Sequence, residues 1–223
     1  MRMFISSFYN TLINNEEAIP VSTMLEIEKL KNKGILFSVC TNRLKDDVLY
    51  YNHDYPFIDY IISLNGNYIY DVSKEKCIYK NSLNKSVIKK IESIFNDYEI
   101  IKYKEDNIIY KLEIKIKNKE QYLVDKLNDL DVYKSIFKLG KDYFIEVTKH
   151  STYEGIIKLL DMLKIKNKET ISVIGNLSEK ELVNNIENTY VVSNAPKELK
   201  DLSTSKTKSN NFKGVENIIK KYN

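Results

Sequence analysis

The chain has 223 residues, enough for one large domain or two modest ones around a sizeable core. Hydrophobic residues make up 43% of it, a globular composition and not a disordered one. With 35 basic and 31 acidic residues the formal net charge is +4, too small an excess to point to nucleic acid.

The lysines are scattered apart from a local group at Lys197, Lys200, Lys206, Lys208 and Lys213, which reads as a solvated surface. Two cysteines, Cys40 and Cys77, give no disulfide framework; Cys40 ends an apolar run and reads as a buried core thiol. The first residues are too poor in apolar side chains for a signal peptide. No stretch reaches the roughly 18 apolar residues of a membrane span. The expectation is a cytoplasmic protein with no membrane partner.

The first third alternates short apolar runs with amphipathic ones. Residues 3–6 read as a buried strand, 14–19 as a polar loop, and 22–33 as a helix with Met24, Ile27 and Leu30 on one side and Gly34 as its stop. Residues 35–40 read as a second strand, 45–51 as a short helix and 60–63 as a third strand. Asn65-Gly66 marks a tight turn before a strand at 68–70. Strand–helix alternation of this kind predicts right-handed crossovers and a mostly parallel sheet.

The middle reads differently. A short strand at 76–79 precedes a helix at 85–95, carried by Val87, Ile88, Ile91 and Ile94. Two strands follow, at 100–103 and 108–116. In the second, Leu112, Ile114 and Ile116 alternate with Lys111, Glu113 and Lys115, which predicts a sheet with one wet face. A helix at 120–130 and a hairpin of 134–139 and 143–147 around Gly140-Lys141 complete an αββαββ unit.

The last third returns to alternating α/β. Helices are expected at 153–163, 178–184, 197–202 and 212–222, strands at 170–175 and 190–192, and a polar loop at 203–211. Ser178 and Glu181 read as the N-cap and partner of a capping box. The fold class expected is α/β, a Rossmann-type core with a mostly parallel sheet, carrying an inserted α+β domain. The core takes residues 1–71 and 149–223, and the insertion, a lid over the strand ends, takes 72–148.

Those strand ends carry a resemblance. Ser7-Phe8-Tyr9-Asn10-Thr11-Leu12 after an apolar strand is similar to the D-x-D-G-T-L motif of the haloacid dehalogenase (HAD) superfamily. Thr41-Asn42-Arg43 resembles the T-G-R of its Cof-type, capped phosphatase branch, and Leu64-Asn65-Gly66-Asn67 the N-G-A segment that leads into the cap. Gly155 fits an S-K-G helix start, Val173-Ile174-Gly175 the strand before G-D-x-x-N-D, and Ser193-Asn194-Ala195 the G-N-A region. Order and spacing agree over nearly the whole chain.

The resemblance implies an aspartyl-phosphate mechanism with Mg²⁺, and the residue types depart from it. Ser7 stands at the nucleophile, Tyr9 at the general acid/base, Glu154 at the lysine, and Asn176 and Lys180 at the acidic metal positions; of the reacting side chains Thr41 alone keeps its type. The expected catalytic and metal sets are therefore not intact, and no cofactor is expected. Glu154 and Lys180, the two formal charges left, read either as an ion pair at the vacated metal position or as solvated surface residues.

His53 and His150 read as surface or hinge residues, and Asp46 and Asp47 as first-turn acids favoured by the helix dipole. The tyrosines Tyr50, Tyr51, Tyr55, Tyr60, Tyr68 and Tyr70 read as core-edge packing. Thr41, Asn42, Arg43, Asn65 and Asn194 are the candidates for binding a small phosphate-bearing or other anionic ligand. Three functions stay open: a pseudophosphatase with a binding or regulatory role, a Mg²⁺-dependent phosphatase of small metabolites using unusual residues, and a protein-interaction module acting through the cap.

Overall fold

The computed structural model describes residues 1–53 and 55–223. The elements in chain order are β1 (Met3–Ser7), α1 (Val21–Asn32), β2 (Leu36–Cys40), α2 (Lys45–Asn52), β3 (Tyr60–Ser63), β4 (Tyr68–Asp71) and β5 (Lys76–Lys80). Then come α3 (Lys85–Ile94), β6 (Ile100–Glu105), β7 (Ile108–Ile116), α4 (Gln121–Asp125), β8 (Tyr133–Leu139) and β9 (Asp142–Thr148). The chain closes with α5 (Thr152–Leu163), β10 (Thr170–Ile174), α6 (Lys180–Asn185), β11 (Asn188–Val192), α7 (Lys197–Leu202), β12 (Lys206–Thr207) and α8 (Gly214–Tyr222).

The larger sheet runs β12-β11-β10-β1-β2-β3-β4-β5. Its first six strands pair in parallel, and β4 and β5 close the edge antiparallel. The central strands β1 and β10 are buried along their whole length, as strands covered on both faces must be. The expected mostly parallel α/β core is present. Its hydrophobic centre joins Phe4, Phe37, Val39, Ile61, Leu159 and Val173.

The second sheet, β6-β7-β9-β8, is antiparallel. Its apolar face, Leu112, Ile114, Ile145 and Val147, packs on Ile88, Ile91 and Phe95 of the α3 segment. Each such side chain, fully buried, contributes roughly 1.5–3 kcal/mol.

Four expectations change. Strand β5, expected inside the insertion, hydrogen-bonds to β4 in the larger sheet, so the chain that builds the second sheet starts after Lys80, not at residue 72. The helix expected over 120–130 is a single α-turn and a half. Beyond Asp125 the backbone tightens to i→i+3 bonds (Leu127 to Val124, Leu130 to Leu127), where Asn128 and Asp129 compete with helical hydrogen bonding. The loop 203–211 holds the edge strand β12. Lys111 and Glu113 of β7 are not on a wet face: they are 0% and 6% exposed, because that face lies against the loop after β2.

The β3–β4 turn is tight, as Asn65-Gly66 suggested. Gly66 N–H returns to the Ser63 carbonyl at 3.0 Å, and Leu64, Asn65 and Gly66 all take left-handed φ (51°, 54° and 83°). Gly66 is required there for a second reason: it is crossed at contact distance by Gly155 at the start of α5, and a Cβ on either glycine would overlap the other's backbone.

Candidate functional site

Parallel pairing brings the carboxyl ends of β1, β2 and β10 together, the usual ligand position in an open α/β sheet. Ser7 is in register with Cys40, and its hydroxyl oxygen accepts a hydrogen bond from Gly175 N–H at 3.3 Å. The Ser7 hydroxyl itself donates to the Glu179 carboxyl. Asn176 N–H also donates to Glu179, at 3.3 Å, and the Cys40 thiol does so at 3.5 Å.

Glu179 is 2% exposed, and among the described residues its partners in this cluster are the Ser7 hydroxyl, the Asn176 N–H and the Cys40 thiol, none of them basic. Burial pushes its carboxyl above the usual range, against the opposing pull of the Ser7, Asn176 and Cys40 hydrogen bonds. Burial and the adjoining Glu179 likewise push the Cys40 thiol well up, so Cys40 is not a thiolate nucleophile.

Tyr9 lies at the cleft with the Arg43 guanidinium 3.9 Å above its ring and Phe8 edge-on at 5.2 Å. Burial raises its phenol, Arg43 pulling the other way. A neutral phenol at physiological pH does not accept a proton as an aspartate does. The Thr41 hydroxyl accepts from Arg43 N–H at 3.1 Å, while the Asn42 carbonyl accepts from Lys111 at 2.6 Å. Asn65 is fully buried behind this loop, its backbone N–H on the Thr41 carbonyl at 3.2 Å, and both polar atoms of its side-chain amide lack a hydrogen-bond partner among the described residues.

Other candidate residues are committed elsewhere. Glu154 is exposed and caps α5, accepting from Ser151 N–H at 2.8 Å. Lys180 is exposed, and no ion pair joins it to Glu154 among the described residues, so the pairing reading fails. Asn194 spends both ends of its amide on structure, donating to the Asn10 carbonyl at 2.8 Å and accepting from Asn210 N–H at 3.0 Å. Ser178 does not cap a helix. The box is two residues earlier, Asn176 with Glu179, and Glu181 instead accepts from the Ser151 hydroxyl at 2.6 Å. Tyr50, expected at the core edge, is 79% exposed.

Glu179 is a residue that the sequence reading did not single out. The signal was present: once Gly175 anchors G-D-x-x-N-D, Glu179 falls on the asparagine, and an acid there is as much a departure as Asn176 or Lys180.

These residues do not fit the Mg²⁺ of the resembled chemistry. Mg²⁺ wants hard, mostly anionic oxygens in octahedral array. Here the Ser7 hydroxyl is turned onto Glu179, and the Asn176 amide nitrogen faces the Tyr9 carbonyl at 3.4 Å. Among the described residues no group of three or more His, Cys, Asp or Glu side chains is placed to hold a metal. None of the described helices is long and apolar enough to cross a membrane.

The family model of haloacid dehalogenase-like hydrolases matches residues 8–154 of this chain. No curated protein matches it. Among solved structures, a haloacid dehalogenase-like hydrolase from B. subtilis superposes with a TM-score of 0.85 at 16% identity, covering 99% of both chains. A HAD-superfamily phosphatase from Bacteroides thetaiotaomicron gives 0.86 at 14% identity, covering 100% of this chain and 95% of its own. A HAD subclass IIB sugar phosphatase gives 0.83 at 17% identity, covering 100% and 99%. At such identities the shared property is the fold: a Rossmann-type core with an antiparallel sheet as cap.

Proposed function

Because the chain belongs to the haloacid dehalogenase-like hydrolases, we propose that it is a phosphatase-like member that does not hydrolyse phosphate esters and keeps a cleft for a small phosphate-bearing ligand. In this reading residues 1–80 and 149–223 are the core and 81–148 the cap. The Ser7–Glu179 hydrogen bond carries the proposal. Phosphoryl transfer to this family's first motif needs a carboxylate aimed at phosphorus and a second acid to move protons. A serine hydroxyl given to a buried carboxyl, with a tyrosine beneath an arginine two residues on, offers neither. No described histidine stands beside Ser7 to activate it.

Anion binding asks for less. Arg43 presents a guanidinium, Thr41 a hydroxyl and Asn65 an unused amide around one loop. The two comparison proteins described as phosphatases, one of them a sugar phosphatase, make a phosphorylated small molecule the first ligand to try.

The test uses a generic aryl phosphate and a panel of sugar phosphates, each with and without Mg²⁺. Rates at background are expected throughout. Turnover that vanishes in Ser7→Ala overturns the proposal. Calorimetric titration with inorganic phosphate and the sugar phosphates covers the binding half; heat lost in Arg43→Ala supports it, and no heat from any of them removes it.

A further inference from the structure

The polar face of β7 is covered, and what covers it is the loop after β2. Lys111 is fully buried. An ammonium carries three N–H groups, and each finds one acceptor: Glu113 Oε1 at 2.7 Å, Glu146 Oε1 at 3.3 Å and the Asn42 carbonyl at 2.6 Å. The Tyr103 ring lies 3.8 Å from Nζ, and its hydroxyl donates to Glu113 Oε2 at 2.8 Å. Ser135 donates to Glu146 Oε2 at 3.4 Å. The group is saturated, so it has no use for a ligand. One of its bonds leaves the cap, to the carbonyl between Thr41 and Arg43.

Two more contacts cross the same seam. Lys45 of α2 pairs with Glu105 of β6 at 3.1 Å, with side chains 17% and 8% exposed. Tyr68 of β4 meets Tyr110 of β7 edge-to-face at 5.6 Å, in a cluster with Leu64, Leu44 and Tyr103.

We propose that the cap is latched shut over the Thr41–Arg43 loop in the absence of any ligand, the Tyr68–Tyr110 cluster holding it and Lys111 fixing where it closes. The division of labour follows from energetics. Buried ion pairs cost nearly as much desolvation as they return, so they set position better than strength. Apolar area, here two tyrosine rings and two leucines, supplies the adhesion. Ligand entry then requires parting Lys111 from Asn42, which leaves the cap's ammonium one acceptor short. The latch stands whether or not the site is catalytic.

Amide hydrogen exchange on the intact protein tests it. In the ligand-free wild type, residues 42–46 are expected to exchange at least about tenfold more slowly than the exposed loop 117–119, after correction for intrinsic rates. Exchange of 42–46 at the rate of that loop overturns the latch outright. The variant Tyr68→Ala removes the core-side ring of the Tyr68–Tyr110 pair, and with it most of the adhesion. It is expected to speed 42–46 about tenfold or more while strands β7 and β9 stay protected. Unchanged exchange there, with both strands protected, also overturns the proposal. If the strands lose protection, the wild-type comparison decides by itself.

Discussion

The Ser7 hydroxyl donates a hydrogen bond to the Glu179 carboxyl, 172 residues further along the chain, and neither side chain reaches solvent beyond a trace. By the motif resemblance the two fall where an aspartate and an asparagine are expected. Here a hydroxyl stands at the first and a carboxyl at the second, and that carboxyl sits on the buried side of the loop after β10. The carboxyl then serves the Ser7, Asn176 and Cys40 donors rather than a substrate.

This arrangement predicts how the motif can be restored. Ser7→Asp, Tyr9→Asp, Asn176→Asp, Lys180→Asp and Glu154→Lys together put a second carboxyl against buried Glu179. Two carboxyls at hydrogen-bond distance share a proton and do not both ionise. The quintuple variant is therefore expected to bind Mg²⁺ poorly, and addition of Glu179→Asn to recover binding, both read by calorimetric titration. Equal Mg²⁺ affinity in the two variants would show that Glu179 is not the obstacle.

Glu179 also sets a pH dependence. Its carboxyl ionises above its ordinary value of 4.5 in the folded chain because burial penalises the charge. Between 4.5 and the folded value the unfolded chain binds fewer protons than the folded one, so stability falls as pH rises. Glu179→Gln removes this dependence. In urea titrations from about pH 4 to about pH 8, wild-type stability relative to the variant is expected to decline and then level off. A difference that is constant, or that grows with pH, contradicts a carboxyl raised by burial.

The crossing of Gly66 and Gly155 is a point of no clearance. In Gly155→Ala the new methyl overlaps the Gly66 carbonyl oxygen and Cα, and both backbones must part. A loss of about 1–3 kcal/mol is expected, seen as a fall of several degrees in the unfolding midpoint by about 2–4 °C per kcal/mol. A midpoint within about a degree of wild type would mean the α5 start is free to shift.

Asn67 ties the turn before the cap to the chain that leaves it. Its amide nitrogen donates to the Leu64, Asn65 and His150 carbonyls at 3.0, 3.0 and 2.8 Å, and its oxygen accepts from His150 N–H at 2.9 Å. Asn67→Ala strands several buried backbone groups and is expected to cost about 2–4 kcal/mol. Asn67→Asp keeps the acceptor alone and is expected to cost a comparable amount. Chemical denaturation measures both, and a loss under about 0.5 kcal/mol in each would remove Asn67 as the clasp.

The sequence alone determined the succession of elements. Apolar runs of four to six residues, helical spacing between them and Gly or Asn-Gly stops place nearly every strand, because burial imposes those periods locally. Tertiary structure decided what each polar residue faces. Period-two alternation separates the two faces of β7 but says nothing of what covers them, so Lys111 and Glu113 read as wet and are sealed by a loop 69 residues away in the Lys111–Asn42 contact. Charge and register left Glu154 and Lys180 open between an ion pair and two solvated residues; the structure leaves both exposed, the first accepting a capping bond from Ser151. Glu179, not singled out in the sequence, lies against Ser7, because only the packed strand ends show which side of a loop is buried.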